Sequence, residues 1–208
     1  MLTTENKVLK KALFLFTEHG PGNTAMNEIA SGAGISKKTL YKCFESKAAL
    51  VNTLYARILN RAELKLRKTL DKADNAVLEF LNICRQVLSF YYFFPPIVLT
   101  HLKYADVEIY DEITFFRKQF LPVVLSYNIE RGIGCGLYKK DIDSNIAAHL
   151  ALTQLIALNH GLNFLRRQYA DKYIQQQLLA HLLYGIVSSE GSQVADSYFS
   201  DHLITVQV

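Results

Sequence analysis

The chain has 208 residues, half of them hydrophobic and a fifth charged, with only 10 Gly and 4 Pro. This excludes a disordered or collagen-like chain and suits either one large domain or a small domain joined to a larger one. Charge is uneven: residues 1–50 hold seven Lys against four acidic side chains, net +3, while residues 51–208 carry only net +1, as expected of a polyanion-binding head on a near-neutral body.

In chain order, Val8, Leu9, Ala12, Leu13 and Phe16 form a helical stripe over residues 5–19, with Lys7, Lys10 and Lys11 off it. Gly20, Pro21 and Gly22 stop this helix. Its cationic, then apolar start is cut short by Glu18 and His19 with no small-residue cleavage site behind it, so no signal peptide is expected. Thr24 is expected to cap a short second helix through Met26, Ile29 and Ala30, ended by Gly34. Ser36 caps a third helix, Lys37 to Phe44, and Ser46 a fourth that leaves the head as a connector from Lys47 to about Ala73.

Beyond it the pattern predicts helices over about 76–94, through Tyr110 after a Pro95-Pro96 break, and over 115–131. After Gly132, Gly134 and Gly136, two more follow over about 143–167 and 171–189. Residues 190–208 read as irregular, with a weak strand-like Ile204, Val206, Val208. The stretches 90–102 and 147–158 are too short or too interrupted to cross about 30 Å of lipid. Three scattered cysteines, Cys43, Cys84 and Cys135, fit no disulfide framework. A soluble, cytoplasmic chain with no membrane partner is expected. The fold class is all-α: a head at 1–50, a helical body at 51–190 and a polar tail at 191–208.

Two short helices meeting across Gly34, Ile35 and Ser36 have the turn chemistry of a helix-turn-helix. Ala30 and Ala33 are small where the helices approach, Ile35 plugs the turn, and Leu40 and Phe44 face inward. That leaves Lys37, Lys38, Tyr41 and Lys42 outward, with Thr39 at the edge. Three cations, a hydroxyl and a phenol can hold phosphates and reach base edges. A solvated helical hairpin would share much of this pattern.

The run VLKKALFLFTEHG, then TAMNEIA, then AGISKKTLYKCFESKAAL resembles the DNA-binding domain of the TetR family of bacterial repressors. It matches without gaps at Leu13, Phe16, Gly20, Thr24, Ile29, Ala30, Ala33, Gly34, Ile35, Ser36, Thr39, Leu40, Tyr41, Phe44, Lys47 and Leu50. The likeness covers about the first 55 residues; the stretch IERGIGCGLYKKDID is similar to a later family segment. The resemblance implies that Asn27, Lys37, Lys38, Thr39 and Lys42 lie near base edges of a double-stranded operator, while Thr24, Ser36, Tyr41 and Lys47 hold phosphates. Thr24 and Ser36 would serve equally as helix caps alone. Pro21 stands where the family is usually aromatic, Cys43 where His or Tyr is frequent, and Lys11 where Ala is common.

For the body, the resemblance implies a homodimer built on the last two long segments and a small-molecule effector. Ile146, Leu150, Leu152, Thr153, Ile156, Ala157 and His160, then Ile174, Leu178, Leu179, Leu182, Leu183 and Ile186, offer more apolar surface than one core stripe requires. Tyr91, Tyr92, His101, Phe116, Phe120, Tyr127, Asn159 and Asn163 are candidates to line a pocket for an apolar or aromatic effector; aromatics at helical spacing also make plain core. No hydrolase, metalloprotease or phosphate-loop motif occurs and the histidines lack metal-ligand spacing, so no catalytic residue, metal or cofactor is expected. The function expected is a repressor released from its operator by an effector. The alternative is a helical small-molecule-binding protein or enzyme that has lost DNA recognition.

Overall fold

The computed structural model describes residues 3–160 and 163–200. It is all-α: α1 (Thr4–Asn23), α2 (Met26–Gly32), α3 (Lys37–Cys43), α4 (Lys47–Lys72), α5 (Ala76–Phe93), α6 (Pro96–Ala105), α7 (Val107–Phe115), α8 (Leu121–Gly134), α9 (Ser144–His160), α10 (Asn163–Arg166), α11 (Asp171–Ile186) and α12 (Ser189–Ser200). A π turn, Phe116–Phe120, links α7 to α8 without leaving helical backbone. Among the described residues there is no strand, only an isolated bridge between Tyr138 and Val187. Ile204, Val206 and Val208 lie outside the described residues.

The chain forms two compact units, one of residues Met1–Arg61 with Tyr92–Thr114, the other of Ala62–Tyr91 with Phe115–Val208. The boundary expected after residue 50 falls inside α4.

In the first unit, Val8, Ala12, Phe16, Ile29, Leu40, Leu50, Tyr55, Phe94, Val98 and Leu102 are fully buried. The larger aliphatic and Phe side chains among them contribute roughly 1.5–3 kcal/mol each on burial. The Tyr55 ring lies between Phe16 and Phe94, with centroids 6.5 Å and 5.4 Å away. Glu5 of α1 and Arg57 of α4 form an ion pair on the surface. α1 breaks at Gly20, whose φ of 79° and ψ of 152° fall in a region essentially open only to glycine. α6 packs on α1 at that break, a long-range contact that no local pattern announces.

In the second unit, α8 packs on α9, α9 on α11 and α11 on α12. Glu79 is fully buried and is paired by Arg131, while Asn128 donates to it and to Ala76 O. Tyr138 donates to the same Ala76 carbonyl at 2.8 Å, so the buried carboxylate sits in a satisfied network.

Two elements differ most from the sequence pattern. The helix expected through Tyr110 is divided at Asp106, whose carboxylate accepts from Ile109 N and starts α7. Residues 190–200, expected to be irregular, belong to α12. Ser188 caps it by accepting from Gly191 N at 3.1 Å, and Gly191 and Ala195, four apart, are buried. Small buried residues give too weak an apolar signal for periodicity to register.

Candidate nucleic-acid interface

α2 and α3 meet in a tight turn. Gly34 adopts φ 68°, its N–H donates to Ser31 O, and Ile35 N–H donates to Ala30 O, both at 3.0 Å. This pair of bonds closes α2 in the Schellman manner and aims α3 across it. Ser36 then starts α3 as expected: its Oγ accepts from Thr39 N at 3.1 Å and lies 2.9 Å from the Thr39 hydroxyl. Leu40 is fully buried and Phe44 nearly so, four residues apart on the inner face.

That anchoring decides what the other face shows. Lys37, Lys38, Tyr41 and Lys42 are exposed and Thr39 is half-buried. The Lys37 ammonium lies 5.9 Å from the Tyr41 ring centroid, so the phenol is supported from one side by a cation. Asn27 is exposed on the first turn of α2. Three cations on a seven-residue helix, with no acidic residue in its first turn, suit a polyanion. Cys43 is half-buried at the inner end of this face.

Two expected members lie differently. Thr24 is buried and its hydroxyl donates to Gly20 O at 3.0 Å, serving the end of α1. The N-cap of α2 is Ala25, not Thr24, and Glu28 reaches back to accept from Ala25 N at 2.6 Å. The sequence signal was the Glu three residues after Ala25, which is the return half of a capping box. Lys47 is half-buried and its ammonium donates to Gly22 O at 3.1 Å.

A groove of 370 Å³ on the same unit is lined by Lys7, Lys10, Lys11, Phe14, Gly32 and Ala33. Lys11 lies 4.8 Å over the exposed Phe14 ring, so three cations of α1 extend the positive surface beyond α3.

The eight pocket candidates scatter. His101 is half-buried and lines a 310 Å³ cavity in the first unit with Gly22, Lys47, Ala48, Val51, Ala105 and Asp106, none of them among the other seven. Burial, and then the nearby Lys47 charge, hold its imidazole below the ordinary value. Tyr92 is exposed in that unit. In the second unit Tyr91 and Phe116 are buried and Phe120 half-buried, and the Phe116 and Phe120 rings stack at 5.4 Å. Tyr127 faces outward, 60% exposed, and Asn159 donates to Leu155 O of its own helix. The side chain of Asn163 lies outside the described residues.

Among the described residues no group of His, Cys, Asp and Glu is arranged to hold a metal ion, and no helix is long and apolar enough to cross a membrane.

Comparison with known proteins bears on this geometry. The family model for bacterial regulatory proteins of the tetR family matches residues 8–54. An uncharacterized HTH-type transcriptional regulator of Mycobacterium tuberculosis strain H37Rv is 32% identical over 87 residues, which is 39% of this chain and 43% of that protein. The chain thus spans less than half the length of the curated relatives it matches. The ketosteroid transcriptional regulator KstR2 of M. tuberculosis superposes with a TM-score of 0.67 at 21% identity, over 91% of this chain and 97% of that one. The regulator FadR of Bacillus subtilis, solved with stearoyl-CoA, superposes at 0.62 and 17% identity, over 86% of this chain and 98% of its own. At these identities the structures share the fold.

Proposed function

We propose that this chain, whose residues 8–54 match the model for bacterial regulatory proteins of the tetR family, acts as a homodimeric, DNA-binding transcriptional regulator of that family, a repressor whose hold on operator DNA is loosened by a small-molecule effector. The observation that carries the reading is α3 itself. Its inner side is locked by Leu40 and Phe44, its start by Ser36, and its outer side offers Lys37, Lys38, Tyr41 and Lys42 on a rigid turn. Phosphate contacts from such a helix set register, and base contacts set sequence. Lys47 and the three cations of α1 add to the attraction for phosphate.

Dimerisation is supported by α9 and α11. Ile146 and Leu150, four residues apart on α9, are about three-fifths exposed, and Tyr173 and Tyr184 of α11 are also exposed. A two-fold dimer covers such a face with its own copy and sets two reading helices on half-sites about 34 Å apart. An effector that prefers a dimer with misaligned heads lowers DNA affinity by its differential affinity for the two states.

The test is retardation of DNA from the region upstream of the chain's own gene, across a salt series. Binding should fall steeply with salt, at about −0.9 in log–log slope per phosphate neutralised. Lys42→Ala and Tyr41→Ala should each weaken it; unchanged affinity in both would remove α3 from the interface. A folded chain that retards no DNA would favour a small-molecule-binding protein that has lost DNA recognition.

A further inference from the structure

The second unit contains side-chain polar atoms that are buried without a hydrogen-bond partner, among them Gln86 Oε1 and Arg117 Nε. Both border one aromatic cluster. The π turn brings Phe116 against Phe90, with ring centroids 4.8 Å apart, and against Phe120 at 5.4 Å. The residue that follows Phe116, Arg117, holds its guanidinium 4.9 Å over the Tyr91 ring. Gln86 sits one helical turn before Phe90 and donates through Nε2 to the Thr69 hydroxyl, which leaves its carbonyl oxygen unmatched. At the outer edge the exposed Arg67 lies 5.9 Å over Phe120. The cluster therefore runs from an exposed cation, across a half-buried ring, to the buried rings of Phe116, Phe90 and Tyr91.

Such an arrangement has a deficit. A guanidinium with a donor shut away from water is costly unless an acceptor meets it, and a charged acceptor meets it best. Among the described residues the ion pairs are Arg57 with Glu5, Arg131 with Glu79 and Arg166 with Asp171, so neither Arg67 nor Arg117 has a carboxylate partner. The one π segment among the described residues supplies Phe116, Arg117 and Phe120 together, and such widened turns are found frequently at functional sites.

We propose that this cluster is an effector site and that its ligand is an organic anion with a flat apolar body. The body lies against Phe90, Phe116 and Phe120. The acidic head accepts from Arg117 Nε–H, Arg67 draws it in from the surface, and a hydroxyl or amide of the ligand donates to Gln86 Oε1. The proposal rests on the effector-responsive reading above and sharpens it, because neutral or cationic apolar compounds would leave the Arg117 donor unmet.

The probes are 6-hydroxy-2-naphthoate and its neutral amide, titrated calorimetrically into the full chain without DNA. The acid should bind about tenfold more tightly than the amide, the scale of one charge-assisted hydrogen bond. Arg117→Gln should erase that advantage, bringing the affinities for acid and amide together, and Arg117→Lys should keep part of it. Should Arg117→Gln not fold, Gln86→Leu serves in its place, and it should erase the preference for 6-hydroxy-2-naphthoate over 2-naphthoate. Equal affinities for acid and amide, a preference that survives Arg117→Gln, or no heat from either probe at about millimolar concentration would each overturn the proposal. Acid binding that depends on Arg117 but leaves DNA retardation unchanged would uphold the site and refute effector-controlled release.

Discussion

Ile97 occupies the space into which a side chain at residue 20 would project: a β-carbon on Gly20 would stand 2.7 Å from Ile97 Cγ1. Two penalties therefore combine at one position. The φ of 79° with ψ of 152° is strained for any L-residue, by about 1–3 kcal/mol, and the overlap with Ile97 of α6 adds a smaller cost, because that side chain is 43% exposed and can turn aside. Gly20→Ala should lower unfolding stability by about 2–3 kcal/mol, and Ile97→Ala in the same chain should restore only the small steric part. Gly34 provides the contrast, since its φ is also positive but nothing lies within 4 Å of its would-be β-carbon. Gly34→Ala should cost only about 1–2 kcal/mol, the backbone term alone. Urea titration of the four chains checks both statements; equal losses for the two glycines would contradict them.

Tyr55 is fully buried between Phe16 and Phe94, and its hydroxyl has no hydrogen-bond partner. Burial accordingly pushes its phenol well above the ordinary range. Removing an unsatisfied buried hydroxyl while keeping the ring relieves a desolvation cost. Tyr55→Phe should stabilise the chain by about 1 kcal/mol, seen as a higher melting midpoint. A lower midpoint would mean that the hydroxyl has a partner after all.

His101 gives a pH dependence with a definite sign. Its imidazole is held below its ordinary value by burial and by the Lys47 charge, and Asp106 lines the same cavity. The unfolded chain therefore binds the proton more readily than the folded one. This contribution to stability is complete above the unfolded value of about 6.5 and is lost as pH falls from there toward the folded value. His101→Gln should flatten that part of the stability profile between pH 7 and 5; an unchanged slope would assign it to other groups.

A charge placed in the exposed stripe of α9 should act on assembly and not on folding. Leu150→Arg puts a guanidinium at a position already 58% exposed, so a single chain tolerates it with a change of about 0.5 kcal/mol or less. Light scattering after gel filtration should show the parent chain as a dimer and the variant shifted to monomer. A variant that remains dimeric would move the interface away from Leu150.

What could be read before the structure was whatever local chemistry dictates. Ser36 and Gly34 act on neighbours within five residues, Leu40 and Phe44 repeat at helical spacing, and each occupies the role that its residue type announces. Thr24 and Ala25 show the limit. Both Thr24 as a cap and Glu28 as a return cap were compatible with the string, and the end of α1 drew the Thr24 hydroxyl toward Gly20 O instead. The docking of α6 on α1 was invisible because it joins residues far apart in sequence through a glycine that reads as a simple helix stop. Arg117, which we propose as a ligand-holding residue, was passed over in the sequence for a related reason. Its significance comes from a missing counter-charge and a widened turn, and neither leaves a mark in hydrophobic periodicity.

The return of Tyr92–Thr114 to the unit that begins at the N-terminus has a consequence for the order of synthesis. Small N-terminal domains usually close as soon as they clear the ribosome. Here Phe94, Val98 and Leu102 belong to the same buried set as Phe16 and Tyr55. This unit must therefore wait, with Phe16, Leu50 and Tyr55 partly uncovered, until Leu102 has emerged. A nascent chain halted before that point would expose apolar surface that chaperones bind, even though α1, α2 and α3 were already complete.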